Sequence, residues 1–289
     1  MSKEIFFEGA GGGALAALDH GGDGPPVLLV HGTGHNAASW TPIAERLARD
    51  HRVVAVDLRG HGHSTADSVD AEQYWRDLGT VVAGLGWDRP LLVGHSTGGY
   101  AVTAAAAAGL VEPAGICVVD GLVLDDREAS ARTLEGTRTP QTAAQLRQAF
   151  GYGLRLTAAQ RDTWIGEQVA VTPTDWLNAG ADPELVRAVV SRAFGEPGGD
   201  GLFVRRPTLD EVMMTTTAAP DSVIFPSVDV YERVRCPMTI ILPEQGFYAG
   251  RRDEVAAIVA AAPGRRLVGM PGGHNVVMTH PEQLAAVIS

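Results

Sequence analysis

The sequence is poor in cysteine, in basic residues and in long apolar runs. Cys117 and Cys236 are its only two cysteines, and each sits within or beside an apolar run. They read as reduced packing residues and not as a disulfide, a nucleophile or a metal pair. Lys and Arg number 23 against 34 Asp and Glu, a formal net charge of −11. That balance excludes nucleic acid and anionic membrane as expected partners, because both need a basic face. The N-terminal Met-Ser-Lys-Glu-Ile-Phe-Phe-Glu lacks the apolar stretch of a signal peptide, and no segment is apolar for the span of a membrane helix. A cytoplasmic location is the resulting expectation. No internal repeat is present.

What the chain does have is ordinary globular composition, 45% hydrophobic and 20% charged over 289 residues, enough for one large α/β domain or two small ones. Short apolar runs without polar alternation occur at 27–30, 53–56, 91–93, 116–119 and 239–242, as expected of strands buried on both faces. Helix-length segments at 37–49, 71–85 and 98–108 lie between them, which predicts a doubly wound, mostly parallel sheet. After Val119 the alternation stops. Thr139-Pro140, Thr157, Asp182-Pro183 and the capping box Thr208-x-x-Glu211 each mark a helix start. Alternation resumes at Cys236-Pro237 with a strand, a helix over 253–261, a strand over 267–270 and a closing helix. The chain thus divides into a core of residues 1–124 and 235–289 and a helical insertion of residues 125–234, placed after the sixth strand.

Leu91-Leu-Val-Gly94-His95-Ser96-Thr97-Gly98-Gly99 is a G-x-S-x-G between an apolar strand and an Ala-rich helix. That context defines a nucleophile elbow, in which a strained turn needs neighbours without side chains and the helix start offers backbone N–H groups. Three further motifs follow the same logic: His31-Gly32-Thr33-Gly34 after a strand, Asp57-Leu-Arg-Gly-His-Gly-His-Ser64, and Pro271-Gly-Gly-His274. Together, in this order and spacing, they resemble the α/β-hydrolase superfamily over nearly the whole chain.

The resemblance implies Ser96 as nucleophile and His274 as general base, with the backbone N–H groups of Thr33 and Thr97 forming an oxyanion hole. His280 is the weaker rival to His274. In the common family pattern the acid follows the penultimate strand, where this sequence has Gly246. Two carboxylates compete for the role: Asp120, at the exit of the apolar run 116–119, and Glu244 in the loop itself, with Asp125 or Asp126 behind them. Asp120 has the better physical case, because a carboxylate at the end of a fully apolar strand is costly without a purpose.

The superfamily resemblance also implies that the insertion is a lid over the nucleophile. Its aromatics and methionines, Phe150, Tyr152, Trp164, Trp176, Phe203, Met213 and Met214, either line an apolar pocket or form the lid's own core. The substrate-contact candidates are His35, Trp40, His95, Tyr152, Trp176, Met213, Phe247 and Tyr248. His61 and His63 lack a third ligand, so no metal is expected, and no cofactor either. The expected activity is hydrolysis of an ester or lactone of a medium-sized, largely apolar small molecule, of the carboxylesterase or lactonase type. Thioester or C–C bond hydrolysis in the same cage, and a slow-turnover small-molecule receptor, remain open. So does the oligomeric state.

Overall fold

A computed structural model describes residues 2–289. The chain opens with an antiparallel hairpin, β1 (Lys3–Glu8) and β2 (Ala14–Gly21), in register from Lys3 opposite Asp19 to Glu8 opposite Ala14. Strands and helices then alternate: β3 (Pro26–Val30), α1 (Thr41–Leu47), β4 (Arg52–Val56), α2 (Gln73–Gly84), β5 (Leu91–His95), α3 (Thr97–Ala107) and β6 (Gly115–Val119). Between β6 and β9 lie α4 (Arg127–Thr137), α5 (Pro140–Phe150), β7 (Arg155–Leu156), α6 (Ala158–Val171), α7 (Pro183–Arg192), β8 (Phe203–Val204) and α8 (Leu209–Met214). The chain closes with β9 (Met238–Gln245), α9 (Arg252–Ala260), β10 (Arg265–Gly273), α10 (Val276–Thr279) and α11 (Pro281–Ile288).

Eight strands form one sheet in the order β1-β2-β4-β3-β5-β6-β9-β10, parallel from β4 onward and antiparallel at the hairpin edge. This is the doubly wound, mostly parallel architecture that the apolar runs predict. Alternate residues of each run bury on opposite faces. Leu28, Val30, Val54, Leu92, Ile116 and Ile240 pack with Leu78 of α2, Ala101 of α3 and Val255 of α9. Val27, Leu29, Val53, Val93, Cys117 and Ile241 pack on the other face with Ile43 of α1 and Leu284 of α11. Both faces are therefore covered, which is why no polar alternation survives in the sequence. No described helix is long and apolar enough to cross a membrane.

The hairpin β1–β2 is not among the strands expected from apolar runs. It lies at the sheet edge with β1 exposed or half-buried along its length, so no continuous apolar run marks it. The helix expected over 37–49 is also shorter, a 3₁₀ turn over Ala37–Trp40 followed by α1. Pro42 near the α1 N-terminus suits a helix start and not a helix interior.

The segment between β6 and β9 is held by its own caps: the side chains of Asp126, Thr139, Thr157, Asp182 and Thr208 accept from first-turn N–H groups of α4, α5, α6, α7 and α8. It is bound to the sheet's loops as well. Asn36 Nδ2 donates to Val189 O at 2.7 Å, Arg192 Nε to Asp57 Oδ2 at 3.0 Å, and Asn275 Nδ2 to Asn178 Oδ1 at 2.7 Å.

One buried ion pair secures the loop after β4. Arg59 Nε and Nη2 donate to the two oxygens of Asp77 at 2.8 and 2.7 Å, and both residues are almost fully buried. Asp77→Ala strands the guanidinium, and urea unfolding is expected to show a loss of roughly 3–5 kcal/mol. Replacing both partners with apolar residues is expected to recover most of that loss; a single mutant as stable as the parent would contradict the account.

Candidate active site

The strand order reverses at β3, with β4 on one side and β5 on the other. At such a switch point the loops leaving the two central strands diverge and open a crevice beyond their carboxyl ends. Here those loops are His31-Gly32-Thr33 after β3 and the Ser96 turn after β5.

Ser96 has φ 53° and ψ −123°, a conformation unusual for any residue with a Cβ. The turn survives because its neighbours have no side chains. A Cβ on Gly94 would lie 2.0 Å from Gly98 O, and one on Gly98 would lie 2.4 Å from Val30 O. Ser96 N donates to Val119 O at 3.0 Å, and Thr97 opens α3, where first-turn N–H groups have no intrahelical acceptor. The Thr33 and Thr97 hydroxyls are 2.6 Å apart, so one hydrogen bond joins the two loops beside Ser96.

His31 fixes the first loop. Its Nε2 accepts from Leu58 N at 2.9 Å, which makes Nδ1 the protonated nitrogen that donates to Gly32 O at 2.8 Å. His95 Nε2 donates to His274 O at 2.8 Å, and the two rings are 4.7 Å apart. The residue next to Ser96 thereby holds the loop that carries His274.

His274 Nδ1 lies 2.6 Å from Asp120 Oδ2, a fully buried carboxylate at the end of β6. Asp120 has φ 43°, a left-handed conformation that Asp tolerates better than most residues. Phe247 N also donates to Asp120 Oδ2, at 2.9 Å. The residue at 246 is glycine for a steric reason: its Cβ would lie 2.6 Å from both oxygens of Asp120. The Asp120 carboxylate fills the space that a side chain at 246 would take. Glu244, by contrast, is exposed at the end of β9, and among the described residues the His274 Nδ1 partner is Asp120.

The Phe247 ring stacks on His274, with centroids 3.7 Å apart and planes 14° from parallel, and Trp176 stacks on Phe247 at 6.3 Å. Phe247 and Trp176 are nonetheless exposed. A cavity of about 440 Å³ runs from Thr33, Gly34 and His35 into the helical segment, where Phe150, Tyr152, Trp164, Trp176 and Arg205 line it.

Of the expected contact residues, His35, Tyr152 and Trp176 line this cavity. The other five lie outside its lining. Trp40 is fully buried among Ile43, Val93 and Val276 beneath the loop, where the core claims its ring. His95 is buried and spent on His274 O. Met213 lies on α8 away from the cavity lining. Tyr248 turns its hydroxyl to Leu122 O and packs on the core. Phe247 covers His274 from outside the cavity lining. Arg205 and Asp175 are cavity residues that the motif reading misses, since neither belongs to a motif.

The residues matched by a model of the alpha/beta hydrolase family run from 27 to 287, nearly the whole chain, and the protein belongs to that family. Protein phosphatase methylesterase 1 of Mus musculus is 35% identical over 147 residues, covering 47% of this chain and 38% of the mouse protein. The matched region is thus well under half of that relative. The solved structure of E-2-(acetamidomethylene)succinate hydrolase covers 100% of this chain and 98% of its own, with a TM-score of 0.74 at 22% identity. The thioesterase domain from the curacin biosynthetic pathway covers 100% and 99%, with a TM-score of 0.72 at 21% identity. At these identities the two structures establish the shared fold.

Two predictions follow from packing and burial here. Gly246→Ala forces a methyl against the Asp120 carboxylate, and a loss of about 1–3 kcal/mol in chemical unfolding is expected, with the His274 ring displaced in a crystal structure. An unchanged ring would refute the steric account. Burial also pulls the pKa of His31 and His61 down to about 3 and that of His35 to about 4. The unfolded chain takes up protons as pH falls below about 6.5 while these rings stay neutral in the fold, so their stability contribution is complete above that pH and declines below it. The slope is at most about 1.4 kcal/mol per pH unit for each ring. A urea midpoint that does not move between pH 7 and pH 5 would rule this out.

Proposed function

We propose that the protein is a serine hydrolase that cleaves an ester or lactone of a medium-sized small molecule through an acyl-enzyme on Ser96. The observation that carries this reading is the 2.6 Å hydrogen bond between His274 and the buried Asp120 carboxylate, on a loop whose carbonyl is held by the neighbour of Ser96.

With Nδ1–H donated to Asp120, His274 keeps the Nε2 lone pair for a proton. His274 removes the Ser96 hydroxyl proton as Oγ attacks the carbonyl carbon, and the C=O electron pair moves onto oxygen. The backbone N–H groups of Thr33 and Thr97 stabilise that oxyanion, at a position where charge develops only in the transition state. Collapse of the intermediate breaks the ester C–O bond, and the imidazolium returns its proton to the leaving alkoxide. Water, deprotonated by the same imidazole, then attacks the acyl carbon; collapse of the second tetrahedral intermediate breaks the acyl–Oγ bond, and the imidazolium returns its proton to Ser96 Oγ as the acid leaves. Asp120 orients the ring and faces the imidazolium that forms. The helical segment of residues 125–234 serves as the lid, and its cavity supports a substrate with substantial apolar surface.

Ester chemistry is favoured because an alkoxide leaving group needs only His274 as its acid. The mouse methylesterase, similar over 147 residues, gives the ester reading an independent support.

Ser96→Ala is expected to abolish p-nitrophenol release from a short acyl ester, and a fluorophosphonate probe is expected to label Ser96 in the parent protein. Asp120→Asn should lower kcat roughly 10⁴-fold, whereas Glu244→Gln should retain most activity. Undiminished turnover by Ser96→Ala would end the proposal, and the reverse result for the two acids would return the role to Glu244.

A further inference from the structure

Arg205 is 8% exposed, yet its Nε and Nη1 groups have no hydrogen-bond partner among the described residues. The contrast with its neighbour is direct. Arg206 lies 3.7 Å from carboxylate oxygens of both Asp67 and Glu211, whereas Arg205 pairs with no carboxylate among the described residues. Its guanidinium instead lies over the rings of Tyr152 and Trp164, at 5.4 and 5.3 Å from their centroids. These contacts attract a cation but supply no acceptor for its N–H groups. Burial draws its pKa down to about 10, so the group still carries its charge at neutral pH.

An unpaired buried cation is among the costliest features a fold can hold, because the water it gives up has not been replaced. Arg205 also lines the cavity that reaches Thr33 and His35, beside the Ser96 turn. The carboxylate sharing that cavity, Asp175, is already engaged: its oxygens accept from Leu177 N at 3.1 Å and Asn178 Nδ2 at 2.5 Å. The described residues thus leave Arg205 Nε and Nη1 without an acceptor.

We propose that the cavity binds a small molecule bearing a free carboxylate, paired by Arg205, remote from the bond presented to Ser96. The guanidinium is a planar fork of donors that matches a carboxylate, and in a buried site such a charge-assisted contact is strong. The aromatic walls formed by Tyr152 and Trp164 fit the apolar stem between the carboxylate and the reacting group. The substrate class narrows accordingly to half-esters or lactones of acids with a second carboxyl group. That substrate assignment rests on the hydrolase reading, while the carboxylate site itself does not.

The test uses the chain of residues 1–289 and glutarate, with glutaramide as the uncharged analogue. In calorimetric titrations the parent protein is expected to bind glutarate and not glutaramide. Arg205→Met is expected to weaken glutarate binding roughly 100-fold, and Arg205→Lys, which keeps the charge without the fork, to fall between. Arg205→Met should also raise Tm in the absence of ligand, since it removes an unpaired charge. In the activity arm, glutarate should compete with p-nitrophenyl acetate in the parent protein and cease to do so in Arg205→Met. Equal binding of glutarate and glutaramide, or glutarate affinity unchanged in Arg205→Met and Arg205→Lys, would overturn the carboxylate site. Absence of ester turnover with glutarate binding intact would count against the hydrolase reading and leave the site standing.

Discussion

The hydrogen bond between His274 and Asp120 is where three separate parts of the sheet meet. Asp120 ends β6, His274 follows β10, and the loop after β9 supplies Phe247 N–H to the same carboxylate oxygen. Burying a carboxylate is costly unless donors answer it; Asp120 Oδ2 receives both donors here, while Oδ1 has no hydrogen-bond partner among the described residues. The consequence reaches beyond the pair: Phe247, fixed through its backbone, lays its ring on the imidazole, and Tyr248 ties the same loop back to Leu122. Loss of the carboxylate would release the orientation of His274 and the anchor of the β9 loop together.

The surrounding histidines have a different physical role. His31, His35, His61 and His95 are all pushed toward the neutral form, chiefly by burial. Neutral imidazoles act as directed donor–acceptor pairs. His31 spans Leu58 N and Gly32 O, so it transmits the position of the loop after β4 to the loop beside Ser96. The same β4 loop accepts Arg192 from α7 at Asp57, so the helical segment and the β3 loop are braced against one carboxylate.

The parallel core and the Ser96 turn were legible because each rests on local sequence. Strands covered on both faces leave unbroken apolar runs, and a turn with backbone approaches of 2.0 to 2.4 Å at a notional Cβ admits only Gly94 and Gly98. Asp120 was legible for a related reason, as a lone charge closing an apolar strand. The β1–β2 hairpin was not, because its edge strand is too exposed to leave an apolar run. Trp40, Met213 and Tyr248 show the opposite limit: proximity in sequence to a site loop does not tell which way a ring points, and the core claims Trp40 completely. Arg205 lay further out of reach, since solvation physics makes an unpaired arginine an expected surface residue.

Gly246 and Asp120 share one volume, since a Cβ at 246 would lie 2.6 Å from the Asp120 oxygens. The family resemblance places its usual acid at the position of Gly246, and a side chain there would compete with the Asp120 carboxylate for the same space. A chain bearing both carboxylates crowds two like charges into it, and a chain bearing neither leaves the imidazole without an anion. Positions 120 and 246 are expected to vary as a linked pair among descendants of a common ancestor, in the manner of a lock and its only spare key.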